Sequence, residues 1–168
     1  MINPWLPERH RILEIIEETD MESTFVVEFN EPSIRHGQFF QISLPKIGEA
    51  PISVSNFTDS TIEFTIRKVG TLTNVLFDLH AGDDLYIRGP YGNGFPLEDF
   101  KGKHIIVIAG GTGVSPVRST LNHYLNNPQD CKDVYAIAGF RDAQHVLFEN
   151  DLTKWRNAPH FHTTLTLD

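Results

Sequence analysis

The sequence is short of the residues that several classes of protein require. It has a single cysteine, Cys131, among 168 residues. One cysteine excludes a disulfide within the chain and any metal or iron–sulfur site built only from cysteines of this chain. Basic residues are outnumbered, with 14 Lys and Arg against 22 Asp and Glu and a formal net charge of −8. That balance disfavours a nucleic-acid partner, because phosphate contacts require clustered Lys and Arg.

The sequence also has no apolar run as long as a membrane span, and the first ten residues, MINPWLPERH, contain no apolar signal segment. We therefore expect a cytoplasmic protein with no membrane insertion. What the chain does contain is 40% hydrophobic and 11% aromatic residues. This composition is sufficient for the core of one domain or of two small ones.

Residues 1–98 are predicted to form a small antiparallel barrel. Six β-rich segments follow one another at a spacing of roughly ten residues, with turn residues between them, which is typical of a small all-β unit. The segments are residues 11–19, 24–29, 37–45, 50–55, 61–69 and 84–89. A helix is predicted over residues 71–82, where Gly82 marks the end and either Thr71 or Thr73 caps the first turn. Its apolar stripe consists of Leu72, Val75, Leu76 and Leu79.

The pattern changes after a Gly- and Pro-rich segment, residues 89–103. Strands are predicted over residues 104–110, 133–139 and 160–167, and helices over 115–127 and 150–157. Alternating strands and helices indicate βαβ units and a parallel sheet. Because a doubly wound nucleotide-binding domain has about five or six strands, we expect residues 99–168 to be the N-terminal part of such a domain, from a truncated chain or a split gene.

A glycine-rich turn, Gly110-Gly111-Thr112-Gly113, lies between a strand of the buried type and a helix. Glycines let backbone N–H groups approach a phosphate, and a helix N-terminus favours its charge. These four residues are therefore predicted to bind a nucleotide, although an ordinary strand-to-helix turn would have the same composition. The glycine order departs from the usual dinucleotide fingerprint, and no acidic residue ends the second strand. Arg141 follows that strand as either a surface charge or a contact to the nucleotide.

Both halves together resemble the ferredoxin–NADP reductase superfamily. Four segments are most similar to the electron-transfer flavoprotein subunit of anaerobic sulfite reductases: GQFFQISLPKIGEAPISVS, IRKVGTLTNVLFDL, LYIRGPYGNGFP and VIAGGTGVSPV. The chain is also similar to the electron-transfer subunit of dihydroorotate dehydrogenase and to the flavin subunit of sulfhydrogenases. The resemblance implies a six-stranded antiparallel FAD-binding barrel over residues 1–98, followed by an incomplete parallel βαβ domain for NAD(P) over residues 99–168.

The resemblance also implies which residues bind the flavin. The Arg-x-aromatic-Ser motif of the family matches Ala50 to Ser53, so that Ser53 lies beside the reactive edge of the flavin as the catalytic residue. Pro51, Ile52 and Val54 would form the strand against which the ring packs. Ala50 replaces the arginine that holds the pyrophosphate in the family, and Arg67 on the next strand is the expected substitute.

A second flavin element implied by the resemblance is the turn Gly70-Thr71-Leu72-Thr73. Its N–H groups and the Thr73 hydroxyl are expected to hold the pyrophosphate, and an ordinary capped helix is the alternative. Tyr91, in the Gly-Pro-aromatic-Gly turn at residues 89–92, is expected either to pack near the flavin or to belong only to a turn. No metal ligand is predicted, because His160 and His162, which are expected to share a face of the last strand, have no evident third partner.

The function implied by the resemblance is electron transfer. NADH or NADPH, as a diffusible substrate, would give a hydride to bound FAD, which would pass single electrons to an iron–sulfur relay. Relatives of this kind carry four cysteines for a [2Fe–2S] cluster, and those cysteines are absent here. We therefore expect partner subunits, including an iron–sulfur protein. The alternatives are a flavin-free structural docking subunit of a redox complex and a nucleotide-binding regulatory module.

Overall fold

A computed structural model describes residues 6–30 and 34–168. Six strands form a closed barrel in the order β1-β2-β5-β4-β3-β6, and all neighbours are antiparallel. The predicted barrel is therefore confirmed. Its strands are β1 (Glu8–Glu17), β2 (Glu22–Glu28), β3 (Phe39–Leu44), β4 (Gly48–Phe57), β5 (Thr61–Arg67) and β6 (Asp84–Tyr91). Alternate side chains of the strands point inward and form a core around Phe25, Phe40 and Phe64.

The second unit is a three-stranded parallel sheet, which confirms the predicted βαβ arrangement. Its strands β7 (Ile105–Gly110), β8 (Val134–Phe140) and β9 (Phe161–Leu167) pair in chain order. Helices α3 (Ser115–Asn126) and α4 (Glu149–Asn157) form a core with one face of the sheet around Leu121, Tyr124 and Trp155. On the other face Ile106 and Ile108 are 68% and 75% exposed.

The barrel helix is shorter than predicted. Helix α1 (Thr71–Leu76) ends at Phe77, well before Gly82. Leu79 still packs against the barrel core, and the Gly82 N–H donates to the carbonyl of Ile12 on β1. The apolar spacing that predicted a helix over residues 71–82 therefore arises from a short helix and a following turn whose apolar side chains pack against the barrel.

The connection between the units is attached to the barrel. Strand β6 ends at Tyr91 and β7 begins at Ile105, and the proposed boundary at residue 98 falls between them, in the short helix α2 (Leu97–Phe100). Gln38 donates to the carbonyl of Gly92 at 2.8 Å, and the Phe95 N–H donates to that of His36 at 2.7 Å. These hydrogen bonds hold the start of the connecting segment against the barrel.

The two units also contact each other directly. Helix α3 packs along β4, and the 3-10 turn over residues 111–114 contacts β5. None of the helices in the described ranges has the length and apolar composition that crossing a bilayer requires.

Candidate functional site

Ser53 lies on the outer face of the barrel in a row with two aromatic residues. Phe39 on β3 pairs with Ser53 on β4 and with Tyr91 on β6. The rings of Phe39 and Tyr91 have centroids 5.6 Å apart at an interplanar angle of 39°. The structure therefore brings two of the predicted residues, Ser53 and Tyr91, onto one surface. Sequence reasoning missed Phe39, although its alternation with the buried Phe40 indicates an outward position.

Two residues predicted to pack against a flavin ring point the other way. Val54 is fully buried in the barrel core, and Ile52 packs against that core. Because side chains alternate along a strand, only Pro51 and Ser53 of this segment face outward. Ile52 and Val54 can therefore face a ring mainly through their backbone, and the expectation that this strand packs against a flavin stays a prediction. Ala50 also packs against the core.

The backbone beside Ser53 is open on one side. The pairing between β4 and β5 begins at Val54 with Phe64 and continues toward the end of β4. Among the described strands, residues 51–53 of β4 have no pairing partner on β5. Helix α1 packs against β4. The turn at Gly70 and the end of β5 at Arg67 thus lie in the same region as the segment that carries Ser53.

The turn before α1 is organised by the side chain of Thr73. Its hydroxyl accepts the N–H groups of Val69 and Gly70, both at 2.9 Å, and donates to the carbonyl of Gly70 at 3.1 Å. Gly70 is the N-cap residue, and the Thr73 side chain at N3 caps the first turn by accepting the Gly70 N–H, so the predicted capping is confirmed for Thr73 and not for Thr71. All three of these bonds lie within the turn, and the expectation that the Thr73 hydroxyl also contacts a phosphate stays a prediction. Backbone N–H groups at the start of α1 are the donors that remain for a ligand.

Two arginines flank this part of the barrel. Arg67 is half exposed and lies 3.3 Å (Nε to Oε1) from Glu22, whose carboxylate also accepts the Thr19 hydroxyl. Arg88 lies on β6 in the outward row of Gln41 and Pro51 and donates to the Tyr91 hydroxyl at 3.0 Å. Its hydrogen bonds to Glu49 raise the pKa of Arg88 above its usual range. Of the two, only Arg67 is predicted from the sequence, and its role in binding phosphate stays a prediction.

The side-chain oxygen of Gln41, in the same outward row, is a hydrogen-bond acceptor that no donor in the described part of the chain reaches. Its Oε1 atom is buried and has no hydrogen-bond partner within residues 6–30 and 34–168. Buried polar atoms of this kind are rare in folded proteins and require an explanation.

The glycine-rich turn lies at the carboxyl edge of the parallel sheet. Gly110, Gly139 and Thr166 are neighbours in register at the ends of β7, β8 and β9. A Cβ atom on Gly139 would lie 3.1 Å from the Thr166 hydroxyl, whereas one on Gly111 or Gly113 would meet no atom within 4 Å. The space above the turn is therefore open. In open α/β sheets, ligands bind outside the carboxyl ends of the strands.

Arg141 follows β8 at the same edge. Its side chain is 79% exposed, and its Nε lies 3.9 Å from Asp142. The hydrogen bond from His145, at 2.7 Å, and one from the Gln144 N–H hold the pKa of Asp142 below its usual range. Arg141 thus extends from an ordered turn with most of its guanidinium accessible to a ligand.

The remaining sequence features belong to the scaffold. His160 precedes β9 and bonds to the carbonyl of Tyr124 at 2.9 Å, whereas His162 lies 3.4 Å from Asp133, so the two histidines do not share a site. Among residues 6–30 and 34–168, no group of three or more His, Cys, Asp or Glu side chains is arranged to hold a metal ion. Burial raises the pKa of Cys131, which leaves its thiol protonated.

Comparisons with known proteins match both halves of the chain. Residues 107–167 match the family model of the oxidoreductase NAD-binding domain. Over 158 residues, 89% of this chain, the sequence is 34% identical to "Sulfhydrogenase 1 subunit gamma" of Pyrococcus furiosus. Over 119 residues, 71% of this chain, it is 44% identical to "Probable dihydroorotate dehydrogenase B (NAD(+)), electron transfer subunit" of the same organism.

The fold is similar to that of a solved ferredoxin NADP+ reductase from Neisseria gonorrhoeae with bound FAD and NADP. The TM-score is 0.81 at 19% identity, over 95% of this chain and 68% of that one. At this identity the similarity shows the fold alone. The chain spans about half the length of the curated relatives it matches, 54% for the sulfhydrogenase subunit and 43% for the dihydroorotate dehydrogenase subunit.

Proposed function

We propose, on the premise that this chain belongs to the ferredoxin–NADP reductase-like superfamily, that it is an electron-transfer subunit of an NAD(P)H-linked flavin oxidoreductase complex. In this proposal the barrel binds FAD, and the glycine-rich turn with Arg141 contributes to the site of NADH or NADPH. The nucleotide is a diffusible substrate that delivers reducing equivalents to the flavin.

The observation that carries the proposal is the packing of the two units. Helix α3 runs along β4, which carries Ser53, and the turn over residues 111–114 contacts β5, which ends at Arg67. A nucleotide held at that turn and a flavin held on the outer face beside Ser53 would therefore be neighbours. Such proximity is the main requirement for transfer between two bound rings.

The residues on the outer face of the barrel fit a flavin. Ser53 offers a hydroxyl, and Phe39 and Tyr91 offer aromatic surfaces beside it. An isoalloxazine ring has both an aromatic face and a polar edge with an N–H group. Arg67 supplies positive charge near the turn at Gly70, where the pyrophosphate is proposed to bind.

FAD, when bound, supplies two-electron acceptance from a nicotinamide and one-electron release to a relay. The residues of this chain are proposed to position the flavin ring and to tune its reduction potential. The Ser53 hydroxyl stands beside the reactive edge, Pro51 and Tyr91 limit the position of the ring, and Arg67 with the N–H groups of Thr71 and Leu72 holds the phosphates. None of these roles requires a strong acid or base.

The identity of the complex is a further part of the proposal. The four segments quoted above favour a complex of the anaerobic sulfite reductase type, in which an iron–sulfur protein among the partner subunits takes the electrons. The two relatives from Pyrococcus furiosus are themselves named as subunits. The cytoplasmic location and the boundary at residue 98 remain predictions.

Extraction of the cofactor from the purified chain tests the proposal. The expected result is a yellow protein that releases one FAD per chain on denaturation, and that binds FAD again after its removal. A colourless chain that binds neither FAD nor nucleotide would support the structural docking subunit instead. Binding of NADH or NADPH without any affinity for FAD would support the regulatory module.

A further inference from the structure

We propose that Arg118 is a positioning residue that fixes α3 and the glycine-rich turn against the barrel, and thereby sets the separation of the two cofactor sites. The inference rests on the proposed function. Arg118 lies in the first turn of α3 and does not belong to either proposed binding site. It acts through the helix that it holds.

The Arg118 side chain joins three elements of the structure. It is 13% exposed, and it donates through Nη1 to Glu63 on β5 at 2.5 Å and through Nε to Asp151 on α4 at 2.6 Å. The guanidinium carbon lies 4.4 Å from the centre of the Phe148 ring. One side chain thus connects the barrel to both helices that cover the parallel sheet.

Both carboxylates that bind Arg118 are held by further donors. Asn56 on β4 donates to Glu63 at 3.1 Å, and Asn122 and Lys154 donate to Asp151 at 3.3 and 3.2 Å. Burial opposes the charge of Arg118, but the combined attraction and hydrogen bonds of the two carboxylates raise its pKa above the usual range. The arginine therefore stays charged, and it is fixed by partners on the barrel and on the second unit.

A second contact near Arg118 restricts rotation between the units. Phe148 has φ +58°, a left-handed conformation that is uncommon for a bulky residue. The barrel residue Glu18 accepts its N–H at 3.0 Å and also accepts the Thr24 hydroxyl at 2.7 Å. Glu18 and Glu63 of the barrel thus bind the second unit at two separate points, and the Arg118 guanidinium packs on the ring of Phe148.

This arrangement has a direct consequence for transfer between the sites. The turn over residues 111–114 leads without interruption into α3, so a tilt or slide of α3 moves the turn relative to β4. A misplacement of about 1 Å by a mutation far from the chemistry can lower a rate on the order of 10²-fold. Loss of the Arg118–Glu63 contact should therefore slow transfer and leave the affinities of the two sites unchanged.

Kinetics of flavin reduction provide the first test. We compare Arg118→Met and Glu63→Gln with the matched control Lys154→Met, which removes a cation from Asp151 without touching the barrel. The chain is loaded with FAD and mixed with saturating NADH or NADPH. The expected result is a reduction rate lowered by about 10- to 100-fold in the first two variants only, with dissociation constants for FAD and nucleotide within about twofold of wild type. Glu63→Gln is the milder variant and keeps the test valid if Arg118→Met does not fold.

A distance measurement tests the same contact without any cofactor. Spin labels are attached at Asp59→Cys in the β4–β5 turn and Arg156→Cys on α4, with Cys131→Ala to prevent a third label. A narrow distance distribution is expected for wild type and Lys154→Met, and a broad one for Glu63→Gln and Arg118→Met. Unchanged distributions in these two variants would overturn the proposal, as would wild-type reduction rates. A wild-type chain that binds no FAD would contradict the proposed function, while the distances would still test the role of Arg118.

Discussion

His36 of the barrel and His123 of α3 meet edge to face across the two units, with ring centroids 5.3 Å apart. Burial, and then the proximity of His123, lower the pKa of His36 to about 4. Its ring also lies 4.9 Å from that of Phe57, and the Nε2 atom of His123 lies 3.1 Å from Asp130. His36 is therefore neutral at pH 7. Its ring packs between the units as an uncharged imidazole, because burial and the neighbouring His123 disfavour the charged form.

The first prediction concerns the pH dependence of stability. A histidine in the unfolded chain has a pKa of about 6.5, so between this value and about 4 the unfolded state binds a proton that the folded state does not. The free energy of unfolding should be fully retained above pH 6.5 or so and should fall as the pH falls through this window. Urea unfolding at several pH values measures the effect. His36→Gln should remove most of this dependence, and His80→Gln, at an exposed position, should retain it.

The second prediction concerns the phosphate partner of FAD. Arg67→Ala should weaken FAD binding by about 1–3 kcal/mol, the range for a charge-assisted hydrogen bond. Arg9→Ala is the control, because Arg9 pairs with Asp84 at the exposed surface of β1 and β6. Fluorescence titration with FAD gives the affinities. Wild-type affinity in Arg67→Ala would remove Arg67 from the site, and a loss in Arg88→Ala instead would assign its role to Arg88.

The third prediction separates the two roles of Thr73. Thr73→Val removes three hydrogen bonds that organise the turn before α1. Thr73 is buried but Val69 and Gly70 are exposed, so the loss should cost about 0.5–1.5 kcal/mol per hydrogen bond. The melting temperature should fall, and FAD affinity should fall with it. Thr73→Ser should restore both, because the hydroxyl alone makes these bonds. Normal stability with lost FAD affinity in Thr73→Val would instead indicate a direct contact to the phosphate.

The fourth prediction concerns the glycine-rich turn. A Cβ atom on Gly113 would meet no atom within 4 Å, and we expect Gly113→Val to leave the melting temperature unchanged. The same side chain would occupy the space in which the nucleotide is proposed to bind, and NADH and NADPH affinity should fall at least tenfold or so, given that close backbone approach is lost. Isothermal titration measures the change. Wild-type affinity in Gly113→Val would exclude the turn from the nucleotide site.

Much of the fold could be predicted from local patterns, and the site could be predicted only in part. Short β-rich segments separated by turn residues identified the barrel strands, and the change to alternating strands and helices identified the parallel sheet. The alternation of side chains along a strand also indicates that Val54 points inward. The motif of the superfamily says nothing about the direction of this side chain. The contact between Arg118 and Glu63 joins residues 55 positions apart. No local pattern predicts such a pair, because it depends on how the two units dock.

Residues near the site show the same limit. Arg67 was predicted because it lies on the strand that follows the motif in sequence. Arg88 lies on β6, which is two strands away from β4 in the barrel. A threonine at the position of Thr73 can cap the helix, bind an anion or stabilise its own turn, and the sequence alone does not distinguish these roles. The three hydrogen bonds of its hydroxyl show the first and the last, and the contact to an anion stays a prediction.

The most direct measurement of the central claim is an anaerobic titration of the FAD-loaded chain with NADH and, separately, with NADPH, followed by flavin absorbance. The account predicts that at least one nucleotide bleaches the flavin bands at a stoichiometry of one per FAD, and that Ser53→Ala slows this reduction without releasing the flavin. FAD that remains bound and fully oxidised in the presence of excess NADH and NADPH would contradict the account.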